Sequence, residues 1–165
     1  MRRTECLFAH SLSFLVFMVG LSGCGGGSDP NKGINVKPTV HVTGKVLVDG
    51  VPPETPIAVK AHQVVKTDET QPLSTGGTGK DGVFELNTYN KGDGVPPGEY
   101  KLTFLWGKLS MRGGMQGEDL LGGQYVRPDK SEFTIKVTES EGVLDLGVFE
   151  LKKSAKPTKI LDDRN

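Results

Sequence analysis

Between Thr39 and Leu151 the apolar residues fall in short runs that alternate with polar ones. In Thr39–Val48 ("TVHVTGKVLV"), Val40, Val42, Val46 and Val48 share one parity. His41, Thr43 and Lys45 take the other, with Leu47 as the exception. A period of two is the pattern of a half-buried strand. Five more runs follow it. Pro56–Val65 places Ile57, Val59 and Ala61 against Ala58, Lys60 and His62. Phe84 and Leu86 alternate with Glu85 and Asn87, and Tyr100, Leu102, Phe104 and Trp106 line one face of Glu99–Trp106. Phe133, Ile135 and Val137 point inward from "EFTIKV", and Val143–Leu151 closes the series. Turn signals separate the runs: Asp49-Gly50-Val51-Pro52-Pro53 breaks the first strand, and Lys80-Asp81-Gly82 reads as a hairpin turn. No segment after residue 38 carries a sustained 3.6-residue period, although Met111–Leu121 has room for a short helical turn. Six or seven strands at this spacing predict an all-β domain, a single antiparallel sandwich over residues 39–151. The pentapeptide "DGVPP" occurs at Asp49–Pro53 and again at Asp93–Pro97 without matching flanks, which reads as one turn chemistry used twice.

The start of the chain follows a different pattern. Arg2 and Arg3 precede a 14-residue apolar run, Leu7–Gly20. A bilayer-spanning helix needs about 20 apolar residues, whereas a signal-peptide core needs roughly 7–15 after a positive segment. The run ends in Leu21-Ser22-Gly23-Cys24, which resembles the lipobox of bacterial lipoproteins: a branched apolar residue, two small ones, then cysteine. That resemblance implies cleavage between Gly23 and Cys24 and acylation of the Cys24 thiol. Cys6 falls in the removed segment, so Cys24 is left as the lone cysteine, and lipidation accounts for it. Two or more acyl chains anchor stably where one does not. Residues 1–23 are therefore expected to be a lipoprotein signal peptide, and 24–38 a Gly- and Pro-containing tether on the order of 20 Å in mean span. Gly25 follows the cysteine where an aspartate retains such lipoproteins at the inner membrane, which points to the outer membrane. Residues 152–165 read as a polar tail that frays.

Composition narrows the choices. The chain has 20 basic and 20 acidic residues, and the signal peptide removes two arginines and one glutamate, so the remainder is near neutral. It has no dense basic run, which sets nucleic acid aside. All ten prolines and all but two of the 23 glycines lie after residue 23, a turn-rich balance that suits short strands.

"GKVLVDGVPPE", "GGTGKDGVFEL", "DGVPPGEYKLTF" and "LGGQYVRPDKSEFTIKV" together resemble the carboxypeptidase-regulatory-like, or transthyretin-like, β-sandwich domains, of the short lipoprotein type abundant in planctomycete bacteria. The resemblance covers Val40 to Leu151. It implies an Ig-like or transthyretin-like sandwich acting as an accessory module in the cell envelope, with no single agreed ligand. Some transthyretin-like proteins hydrolyse a purine breakdown product with help from a C-terminal Tyr-Arg-Gly-Ser; this chain ends Asp162-Asp163-Arg164-Asn165.

For catalysis, His41 and His62 are the histidines outside the signal peptide, and neither sits in a nucleophile or zinc motif. Asn90, Asp93 and Glu99 are oxygen donors near one loop, but their spacing does not match a twelve-residue calcium loop, and no metal or other cofactor is expected. The connection Gly107–Ser131 is the candidate binding loop, because structureless loops beyond about 12–15 residues are uncommon and often functional. Its contact residues would be Arg112, Glu118, Asp119, Tyr125, Arg127 and Lys130, a set suited to a protein or glycan. The alternative is that Leu120, Leu121 and Tyr125 pack over an open end of the sandwich. The chain thus reads as a non-enzymatic, lipid-anchored envelope module for protein or carbohydrate contact or for envelope structure. A periplasmic hydrolase, or a regulatory subunit of one, is the alternative.

Overall fold

The computed structural model describes residues 33–66, 68–110, 114–139 and 142–160. Gly23 and Cys24, the signal peptide and Arg112 lie outside them. Among the described residues eleven strands form: β1 His41–Val48, β2 Ala58–Gln63, β3 Ser74–Gly77, β4 Val83–Leu86, β5 Gly98–Leu105, β6 Lys108–Leu109, β7 Met115–Gln116, β8 Glu118–Asp119, β9 Thr134–Val137, β10 Val143–Leu151 and β11 Thr158–Lys159. Seven of these build the expected all-β sandwich, as sheets of order β10-β1-β4 and β3-β2-β5-β9. Among the described residues no helix is long and apolar enough to cross a membrane.

The period-two stripes become the core. Val42, Val46, Ile57, Val59, Leu86, Leu102 and Phe104 are fully buried. At about 1.5–3 kcal/mol for each large apolar side chain, such burial is the main favourable term in folding. The β1 stripe skips one position, Gly44, and the gap has a use. A Cβ there would lie 2.8 Å from the tip of the Phe84 ring. Phe84 can therefore reach Phe149 across the sheet, with ring centroids 6.0 Å apart. Phe149 in turn meets Phe104 at 5.6 Å and Phe133 edge-on at 5.5 Å, which ties the two sheets together.

One pairing departs from the antiparallel expectation: β1 and β10 run parallel. The register shifts between Thr43 and Lys45, so that one residue of β1, Gly44, faces two of β10, Leu146 and Gly147, and Gly147 has φ 73°. The bulge switches the strand's parity. Leu144 and Leu146 pack inward before it, and Phe149 and Leu151 after it.

Three local expectations are corrected. Lys80-Asp81-Gly82 does make a tight turn, closed by Gly79 N–H donating to Val83 O at 2.7 Å, but it leads from one sheet into the other. The sheets touch there through two backbone hydrogen bonds between Thr75 and Asn87, of 2.8 and 2.9 Å. The described part of Met111–Leu121 holds β7 and β8 instead of a helical turn. The tail does not fray over 152–160, because β11 pairs antiparallel with β8.

Candidate functional site

The connection 107–131 is built from the inside outward around Asp119, which is 2% exposed. Its Oδ1 accepts from the backbone N–H of Trp106 and of Leu121, each at 3.1 Å, and Oδ2 accepts from Gly123 N–H at 2.8 Å. A buried carboxylate satisfied by backbone donors fixes a loop's course where no regular ladder could. Leu121 drops into the core beside it, fully buried. The segment then runs along the free edge of β5: Phe104 N–H donates to Tyr125 O, and Leu102 N–H to Phe133 O, both at 2.9 Å. It thereby covers a strand edge that β9 leaves open.

The six candidate contact residues therefore separate. Asp119, expected at a surface contact, is the internal support of the loop. Tyr125 is half-buried; its ring packs on Phe133 at 6.1 Å, and its hydroxyl accepts from Lys152 N–H at 3.3 Å. Glu118 is exposed and belongs to β8. Arg127 and Asp129 form an exposed two-pronged pair, Nε to Oδ1 at 3.1 Å and Nη2 to Oδ2 at 2.7 Å. This pair raises the arginine pKa and lowers that of the carboxyl, chiefly through the hydrogen bonds. Lys130 is exposed in the 3-10 turn Pro128–Lys130.

With the tail, the loop forms a groove of about 430 Å³ on the outer face of the four-stranded sheet. The floor is the outward parity of β2 and β5: Ala58, Lys60, His62, Thr103 and Leu105. Gly123 and Val126 of the loop and Thr158, Lys159 and Ile160 of the tail complete the lining. His62 Nε2 and Thr103 Oγ1 are hydrogen-bonded at 3.0 Å. Partial burial, and then the charge on Lys60, lower the His62 pKa and favour the neutral ring. Neither Lys60 nor Lys159 has an ion-pair partner among the described residues. Lys60 and His62 were visible in the sequence as polar strand positions. The participation of Thr103 and Lys159 had no local signal, since three distant segments meet here.

His41 lies on the other sheet, with Nε2 3.8 Å from Glu85 Oε1 across β1 and β4. Of the oxygen donors considered for a metal, Asp93 is engaged otherwise. Asp93 accepts from the backbone N–H groups of Thr88, Tyr89 and Asn90 at 2.9, 2.8 and 2.7 Å. Among the described residues no cluster of three or more His, Cys, Asp or Glu is placed to hold an ion.

No family model and no curated protein matches the chain. Among solved structures it is similar to a 9R-lipoxygenase from Cyanothece PCC8801, at 16% identity and a TM-score of 0.37. The match covers 69% of this chain and 16% of that one, and a likeness at this level carries no argument about function.

Proposed function

We propose that the chain is a lipid-anchored module of the cell envelope: a non-catalytic β-sandwich of the transthyretin-like, carboxypeptidase-regulatory-like kind, held at the outer membrane and used for protein or carbohydrate contact or for envelope structure. The observation that carries this reading is Leu21-Ser22-Gly23-Cys24 at the end of a 14-residue apolar run, followed directly by three glycines. An apolar run of that length is short for a spanning helix and suits a cleaved signal. The exposed side chains of the 107–131 connection, Glu118, Arg127 and Lys130, offer both charge signs to a partner.

Mass spectrometry of the protein recovered from bacterial membranes tests the anchor. The expected N-terminal peptide begins at Cys24 and carries diacylglycerol mass, and Cys24→Ala leaves the membrane fraction. An unmodified Cys24, or a Cys24→Ala protein that still sediments with membranes, overturns the reading. Contact is tested by crosslinking in the intact envelope: a stoichiometric protein or glycan partner is expected, lost when the exposed charges of the loop are reversed.

A second reading, a periplasmic hydrolase or its regulatory subunit, draws on the His62–Thr103 hydrogen bond, a neutral imidazole against a hydroxyl. Turnover of cell-wall or purine-derived substrates that His62→Gln abolishes would put this reading first.

A further inference from the structure

We propose that the groove on the outer face of the four-stranded sheet binds a small organic anion with an apolar body, such as an aryl- or alkyl-carboxylate. The proposal does not depend on the lipid anchor. It rests on four features of the same place.

The first is size. Pockets for drug-sized ligands span about 300–1,000 Å³, and this groove, at about 430 Å³, lies at the small end. The second is an apolar lining. Ala58 and Leu105 form part of the floor, Ile160 lines the groove from the tail, and Val126 contributes a side chain that is still 37% exposed. The third is charge. Lys60 on the floor and Lys159 on β11 both line the groove, neither in an ion pair among the described residues, although Glu118 of β8 is the register partner of Lys159. The one carboxylate lining the groove among the described residues, Asp119, accepts from three backbone N–H groups. Two ammonium groups beside apolar surface, outnumbering the single lining carboxylate among the described residues, favour an external anion more than the same groups in bulk water would. The fourth is a neutral polar pair. His62 and Thr103, hydrogen-bonded to one another, can turn a donor towards a carboxylate oxygen.

The same lining argues against a sugar as the occupant. Phe104 is the one aromatic residue at the groove, and its side chain is fully buried in the core, so no ring face is offered for stacking. An added β-strand is not favoured either, because the floor is a sheet face whose backbone groups are already paired along β2 and β5.

Calorimetric titration of the full chain in a mild non-ionic detergent, with protein-free detergent as the blank, tests this with phenylbutyrate as the probe. Saturable binding of one probe per chain is expected. Phenylbutanamide, which keeps the apolar body and drops the charge, should bind about tenfold more weakly or worse. The doubly substituted K60Q/K159Q protein should lose about tenfold in affinity, whereas K60R/K159R should retain binding. Lys60 and Lys159 pack in no core, so an unchanged melting curve and Trp106 emission will show that both variants are folded. No saturable heat overturns the proposal, as do equal affinities for the acid and the amide or full affinity in K60Q/K159Q. Binding that emerges only when residues 161–165 are deleted would assign the groove to the chain's own acidic end, and would overturn it too.

Discussion

The pentapeptide Asp-Gly-Val-Pro-Pro stands at 49–53 and at 93–97, and the two copies enter the fold by different routes. In the first, Asp49 and Gly50 have φ of 51° and 81°. Val48 and Val51 exchange backbone hydrogen bonds of 2.8 and 3.1 Å, which makes a two-residue turn with both central residues left-handed. Val51 points to solvent, 61% exposed. In the second copy the aspartate looks backward and gathers three backbone N–H groups from residues 88–90. Gly94 passes so close to the Val40 carbonyl that a Cβ would overlap it. Val95 is fully buried, and it pairs with Val40 through bonds of 2.9 and 2.8 Å. Identical side chains thus make a solvent-facing turn in one place and a core-docked clamp on the start of β1 in the other. What differs is the chain that arrives at each. The first follows a strand that must reverse. The second precedes β5 and lies against β1, where a bare glycine allows backbone to meet backbone.

Paired substitutions should separate the two copies, in descending order of effect. Gly94→Ala combines a left-handed backbone with a steric overlap and should cost about 3–5 kcal/mol in urea unfolding. Gly50→Ala has a similar φ and open space around it, and should cost only about 1 kcal/mol. Equal losses would sink the distinction. Asp93→Ala strands three backbone donors and should cost about 2–4 kcal/mol, while Asp49→Asn should be nearly silent, because asparagine accepts the same turn. Val95→Ala should lose about 1.5–3 kcal/mol against less than about 0.5 for Val51→Ala. The subtlest test needs no mutation. In native-state hydrogen exchange the Val40 and Val95 amides should be protected to near the global unfolding limit, and the Val51 amide should exchange from local opening.

The strand stripes were legible because burial is written at every second residue. The β10 parity change left a mark that the strand reading did not use: Leu144 and Leu146 give way to Phe149 and Leu151 across Gly147, the residue a bulge needs. The parallel direction of β10 beside β1 was not, since strands about a hundred residues apart in sequence carry no local mark of their pairing. Asp119 was misplaced for a similar reason. Its partners are backbone amides, and any sequence supplies those. The groove was hidden because Lys60, Thr103 and Lys159 are unremarkable one by one and become a site only where loop and tail converge on the sheet.

The parallel seam between β1 and β10 also sets how the domain bears load. Residues 33–40 lead into β1 at one end of the seam, and the chain leaves β10 at the other end, after seven aligned residue pairs. Tension between the two ends would therefore pull along the seam, straining its bonds together in shear instead of opening them one after another like a zipper. A domain wired in this way resists extension between the two ends of the seam, whose row of bonds is interrupted at the Gly147 bulge.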